Sequence, residues 1–107
     1  MRDDRKIKSY WVYILLCKNN CYYTGYTIDL EKRYAAHLDG SASKYTRSFK
    51  PICIAQSWKI AGEKSLAMKI EKYIKQLSRA QKERLIVNPN LLFLDYDGMS
   101  EAREIPI

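Results

Sequence analysis

The sequence predicts an α+β fold, a small three-stranded antiparallel sheet flanked by helices in the order ββαβαα. Residues 10–17 (YWVYILLC) form an almost unbroken apolar run, rich in aromatic and β-branched side chains, as a strand buried on both faces requires. Only two further segments read as strands, too few for a doubly wound parallel sheet, and the segments between and after them carry helical spacing or caps. A length of 107 residues, 47% apolar and 29% charged, suits one domain with one core.

Residues 1–9 read as a basic arm carrying Arg2, Arg5, Lys6 and Lys8. The first strand runs into Lys18-Asn19-Asn20-Cys21, and paired asparagines tolerate the left-handed backbone of a tight hairpin. Residues 22–27 (YYTGYT) are the return strand, where Gly25 costs strand stability and so marks close approach by a ligand or another backbone. Asp29 or Thr27 caps a helix that Gly40 stops after Asp39, with Leu30, Tyr34 and Leu38 as its apolar stripe and Ala35 beside them. Residues 41–49 read as a polar, basic loop. Pro51 opens a third strand over 52–60, with Ile52, Ile54, Trp58 and Ile60 expected on one face. The longest helix spans 63–77 and buries Leu66, Ile70, Tyr73, Ile74 and Leu77. Ser78-x-x-Gln81 is a capping box that starts a short helix to about Val87, which Pro89 ends. The domain proper thus covers 10–88, and residues 89–107 form a tail whose apolar patch, 91–94, packs back onto it.

A net charge of +7 and a pI near 9.4 favour an anionic partner. Nucleic acid is preferred to a membrane surface, because no apolar run of about 18 residues exists. The basic N-terminus leads into a strand without a cleavage site, which places the protein in the cytoplasm. Nine tyrosines against two phenylalanines supply hydroxyls that a plain core does not need. Cys17, Cys21 and Cys53 are odd in number and contain no C-x-x-C pair, so reduced thiols are expected rather than a zinc site with His37.

Arg33 and His37 lie four residues apart on the first helix and point the same way, off the Leu30/Tyr34/Leu38 stripe. An arginine fork suits phosphate oxygens, and a histidine moves protons near neutral pH. The same spacing also describes a solvated basic face. Glu71 falls between the apolar stripe of the long helix and a face carrying Lys64, Lys69, Lys72 and Lys75. One carboxylate there suits Mg²⁺ (or Mn²⁺) completed by water and substrate phosphates. A surface pair with Lys75, worth roughly 0.3–0.5 kcal/mol, accounts for it as well.

Tyr13 in WVYIL, then Tyr23-Thr24-Gly25, then Arg33-x-x-x-His37, then Glu71, in that order, resemble the signature of the GIY-YIG nucleases. Residues 43–47 (SKYTR) before Pro51, and 71–86 (EKYIKQLSRAQKERLI), resemble its small standalone bacterial members. The resemblance runs from about Trp11 to Ile86. Within the two name motifs only the tyrosines and the final glycine match, swaps that preserve strand propensity. Many members carry an asparagine after the metal glutamate; Asn88 and Asn90 lie beyond that region and receive no role.

The resemblance implies a metal-dependent endonuclease that hydrolyses phosphodiester bonds of nucleic acid, DNA ahead of RNA, with Mg²⁺ (or Mn²⁺) as cofactor. It implies Tyr13 as general base or its relay, Tyr23 orienting water or phosphate, Arg33 stabilising the pentavalent phosphate, and Glu71 holding the metal. His37 is then a second proton carrier or a phosphate donor. At pH 7 an unassisted tyrosinate costs about 4 kcal/mol, whereas a histidine starts closer to a general base's optimum, so both remain candidates. Lys32, Lys44, Arg47 and Lys50 are expected to flank the site and bind phosphates. The alternatives are a non-catalytic nucleic-acid-binding module on the same scaffold and a protein adaptor. Because Tyr13 and Tyr23 are both odd-numbered, they share a sheet face only across a loop of odd length, so a three-residue loop or a bulge is expected at Asn19-Asn20.

Overall fold

A strand that is apolar along its length needs cover on both faces, and the central strand of this protein has it. The computed structural model describes residues 8–95. Its elements are β1 (Ser9–Cys17), β2 (Tyr22–Thr27), α1 (Leu30–Asp39), α2 (Lys44–Ser48), β3 (Pro51–Ala61), α3 (Lys64–Lys75), α4 (Arg79–Val87) and α5 (Leu91–Asp95). The sheet is antiparallel in the order β2-β1-β3. The α+β fold with ββαβαα order is therefore present, with two five-residue helices added. The first, α2, lies in the segment read as a loop, where the Ser43 side chain caps the Thr46 N–H.

One face of the sheet presents Val12, Ile14, Trp58 and Ile60 to Ala67, Ile70 and Ile74 of α3, Leu85 of α4 and Leu92 of α5. The other presents Tyr13, Leu15 and Cys17, packed by Leu30 and Tyr34 of α1. Leu92 is fully buried, and the Trp58 indole N–H donates to the Pro89 carbonyl at 2.9 Å, so the core takes in the apolar patch beyond residue 88. The expected arm over 1–9 and the tail after 95 lie largely outside the described residues. Among the described residues no helix is long and apolar enough to cross a membrane.

The hairpin follows the parity rule. Its loop is Lys18-Asn19-Asn20, closed by Cys17 N–H to the Cys21 carbonyl at 2.9 Å and by Asn20 N–H to the Cys17 carbonyl at 2.8 Å. Asn20 takes the left-handed position at φ 64°. Pairing of Tyr13 with Gly25 and of Leu15 with Tyr23 then places both tyrosines on one face. Asp29 caps α1 by accepting from Lys32 N–H at 3.1 Å, Gly40 ends it at φ 87°, and the Ser78/Gln81 capping box opens α4.

Three expectations need correction. In β3, Ile14 pairs with Gln56 but Leu15 with Ile54, so Ala55 is bulged out. That bulge reverses the alternation and puts Ile54 on the Tyr13 face, while Trp58 and Ile60 stay on the α3 face; a second shift, where Leu16 pairs with Cys53 but Cys17 with Pro51, leaves Ile52 out of the ladder and 57% exposed. In α1, Leu38 is 46% exposed and His37 1% exposed: the histidine takes the inner position because both its ring nitrogens find partners there. Ala35 is likewise exposed. Helix α3 is shorter than 63–77, with Glu63 as its N-cap and Gln76 as its C-cap.

Candidate active site

As an edge strand, β2 is reached from both sides, and residues of both its faces line one cavity of about 440 Å³. Tyr13, Tyr23 and Gly25 come from the α1 side of the sheet, and Tyr10 and Tyr26 from the α3 side. Thr27 and Ile28 at the end of β2, Arg33 of α1, and Lys64 and Glu71 of α3 complete the wall. Gly25 has a steric reason. A Cβ there would lie 2.5 Å from Tyr13 Oη and 2.7 Å from its Cζ, so the Tyr13 ring crosses β2 where no side chain blocks it.

Behind that ring runs a chain of buried hydrogen bonds. Tyr13 Oη lies 2.8 Å from His37 Nε2, and His37 Nδ1 lies 2.7 Å from Thr46 Oγ1. Thr46 Oγ1 lies 2.8 Å from Ser43 Oγ. His37 forms no part of the cavity wall and meets it only through Tyr13 and through the edge of Tyr23, 5.1 Å away between ring centroids. Tyr23 stacks in turn on Tyr45 at 5.8 Å, which packs on Phe49 at 5.4 Å.

The electrostatics follow from burial. Tyr13 is 2% exposed, and loss of water raises its pKa well above the usual phenol value, helped by Tyr23 and Glu71 and opposed by Arg33. Burial also holds His37 down to about 4, with the Arg33 charge adding to the effect, so the imidazole is neutral at pH 7. Neither Arg33 nor Lys64 has a hydrogen-bond or ion-pair partner among the described residues. Two unpaired cations in one wall suit an anion. The Glu71 carboxylate meets Lys75 at 3.4 Å, but Lys75 is half exposed, so water screens the pair.

The cavity offers one carboxylate and phenolic oxygens, without sulfur or imidazole in its wall. Among the described residues no three His, Cys, Asp or Glu side chains cluster to hold a metal, and all three cysteines are free. Such a donor set is wrong for structural zinc. It fits a hard cation such as Mg²⁺ that keeps several waters and takes one or two carboxylates.

Of the five expected site residues, Tyr13, Tyr23, Arg33 and Glu71 meet in the cavity, and His37 stands behind it. Of the expected phosphate contacts, Lys32 lines a neighbouring groove of about 360 Å³ with Arg33, and Lys44 and Arg47 are exposed on α2. Lys50 has another task, donating to the Leu38 carbonyl at 2.9 Å at the end of α1. Sequence reasoning missed Lys64, Tyr10 and Tyr26 in the wall and Thr46 and Ser43 in the bond chain. Lys64 had a signal: it precedes Glu71 by seven residues, two helical turns on one face.

Residues 9–84 match the family profile of the GIY-YIG catalytic domain, a span that contains every cavity residue named above. A UPF0213 protein of Halobacterium salinarum is 47% identical over 74 residues, covering 69% of this chain and 95% of its own. A UPF0213 protein of Bacillus licheniformis is 38% identical over 93 residues, covering 87% and 95%. The UPF0213 protein of Bacillus halodurans, solved by solution NMR, is 35% identical and covers 84% of this chain and 98% of that one, with a TM-score of 0.47.

Proposed function

The chain belongs to the GIY-YIG catalytic-domain family, among the UPF0213 proteins, and from that premise we propose that it is a divalent-metal-dependent endonuclease hydrolysing phosphodiester bonds in nucleic acid, DNA ahead of RNA. One observation carries this reading. Tyr13, Tyr23, Arg33 and Glu71, from four separate elements, converge on a single cavity whose cations have no partner among the described residues. A cytoplasmic location belongs to the same reading.

Arg33 and Lys64 bind the oxygens of the scissile phosphate, the arginine through its planar fork. Tyr13 acts as a neutral hydroxyl, because burial makes its phenolate too costly at neutral pH. Its oxygen takes a proton from the attacking water while its own proton passes to His37 Nε2, 2.8 Å behind. His37 therefore works through Tyr13, which reconciles the two base candidates. Tyr23 orients the water or the phosphate, its ring held by Tyr45. Glu71 holds Mg²⁺ or Mn²⁺, which supplies charge stabilisation for the leaving oxygen.

The test is cleavage of labelled DNA and RNA with Mg²⁺, with Mn²⁺, or in excess EDTA. Cleavage with either metal and none in EDTA is expected. Cleavage indifferent to EDTA overturns the metal dependence. No cleavage of any nucleic acid with any metal leaves a binding module instead.

A further inference from the structure

The bond chain behind Tyr13 does not end at the histidine. Thr46 is fully buried and His37 nearly so, yet both ring nitrogens are bonded, at 2.8 Å to Tyr13 and 2.7 Å to Thr46. Capping of α2 does not explain the Thr46 hydroxyl. The cap uses the Thr46 backbone N–H, which donates to Ser43 Oγ at 3.1 Å, and any residue at position 46 but proline supplies that group. The hydroxyl is left for His37 on one side and for Ser43, 2.8 Å away and only partly buried, on the other.

We infer that Thr46, backed by Ser43, is a positioning residue that sets the tautomer of His37 and passes outward to solvent the proton that His37 takes from Tyr13. The inference rests on the hydrolytic reading given above. A carboxylate in the place of Thr46 would hold His37 as an imidazolium. A hydroxyl instead accepts or donates with equal ease, so it receives the Nδ1 proton while releasing its own. Storage of charge on the ring is disfavoured by its surroundings. The groups that face it are Tyr13 from β1, Tyr23 from β2, Arg33 on its own helix and Thr46 from α2, and the one charge among them is the Arg33 cation.

The step balances. Water loses a proton to Tyr13 Oη as its oxygen bonds to phosphorus; the bond from phosphorus to the leaving sugar oxygen breaks, and that oxygen takes a proton from solvent. The Tyr13 proton moves to His37 Nε2, the Nδ1 proton to Thr46 Oγ1, the Thr46 proton to Ser43 Oγ, and the Ser43 proton to solvent. Each relay group gains one proton and loses one, and the imidazole ends neutral in its other tautomer. Proton exchange with solvent and rotation of the hydroxyls restore the start.

The chain has a single histidine, so ¹⁵N NMR of its ring is unambiguous. At pH 7 the wild type is expected to carry the proton on Nδ1. In Thr46→Val that N–H has no acceptor, so the proton moves to Nε2; Thr46→Ser keeps the wild-type tautomer. With nucleic acid and Mg²⁺, Thr46→Val should lose on the order of 100-fold in kcat with KM unchanged, within the range of general acid–base catalysis, and Thr46→Ser should recover it. A wild-type ring protonated on Nε2 overturns the inference without any variant. So does a folded Thr46→Val protein with wild-type kcat. Failure of the wild type to cleave any nucleic acid is a different result: it sinks the hydrolytic reading and removes the relay with it, whatever the tautomer.

Discussion

The two faces of the sheet share one central strand and do different work. On the α3 side, nine buried apolar residues form a continuous core, and its single buried polar outlier is Thr24, whose hydroxyl is the only buried side-chain oxygen without a partner among the described residues. On the α1 side the apolar cluster is small, Tyr13, Leu15 and Cys17, and beside it lie buried His37 and Thr46 with their polar side-chain atoms satisfied by one another, by Tyr13 and by Ser43. Alternation along β1 separates the roles: Val12 and Ile14 serve the core, and Tyr13 between them serves the site. The exceptions come from the core side: Tyr10 and Tyr26 of the sheet and Lys64 and Glu71 of α3 also line the cavity at the β2 edge. Apolar burial is thus concentrated on one face and the buried polar groups of the candidate site on the other. Four measurements break or sharpen that division.

The largest effect falls on Glu71, the residue that crosses the division. Glu71→Gln keeps size and helix propensity and removes the charge a hard cation requires. Cleavage should fall by several powers of ten, with nucleic-acid binding retained. Stability should drop by at most about 0.5 kcal/mol, since only the pair with half-exposed Lys75 is lost. An active glutamine variant would reduce Glu71 to a surface partner of Lys75.

Ile70 lies one residue earlier on α3 and is fully buried in the core face. Ile70→Ala should cost about 2–5 kcal/mol in urea unfolding by opening a cavity, while the protein that remains folded cleaves normally. A loss of cleavage in step with Glu71→Gln, under conditions where the variant is folded, would show that the faces are coupled.

The third measurement tests the α1 face through its buried histidine. His37 is held near 4 in the fold by burial against an ordinary 6.5, so between these values the unfolded chain binds more protons. Its contribution is complete above pH 6.5 and is lost as pH falls toward 4, a change of order 3 kcal/mol. Unfolding free energies of the wild type against His37→Gln across that window should converge at the acid end. Parallel curves would mean that the ring is not buried in neutral form.

Much of this division was legible because strand periodicity is rigid. The unbroken apolar run implied two covered faces, and a shared face for the odd-numbered Tyr13 and Tyr23 implied a three-residue loop or a bulge with an asparagine left-handed; the loop has three residues and the asparagine is Asn20. What escaped was non-local. Ala55 bulges because β3 pairs with β1, and nothing within the segment announces it. Leu38 outranks His37 on any hydropathy scale. The histidine is nonetheless inside because Tyr13, 24 positions away, and Thr46, 9 positions away, meet its nitrogens. Side-chain partners at such separations leave no periodic trace.

The smallest effect concerns the surface around the cavity. Arg47 is exposed on α2, whereas Lys50, grouped with it on sequence grounds, donates to the Leu38 carbonyl at 2.9 Å. If Arg47 contacts one phosphate, Arg47→Ala should flatten the slope of log K against log[salt] by about 0.9 on duplex DNA and weaken all sequences alike. Lys50→Ala should instead act mainly on stability, by roughly 0.5–1.5 kcal/mol, through the freed end of α1, and leave the slope almost unchanged. Fluorescence anisotropy over a salt series, with urea unfolding of both variants, separates the two. Equal slope changes would show that the Lys50 amine leaves α1 to bind phosphate, and that the basic loop acts as one surface rather than as a contact and a cap.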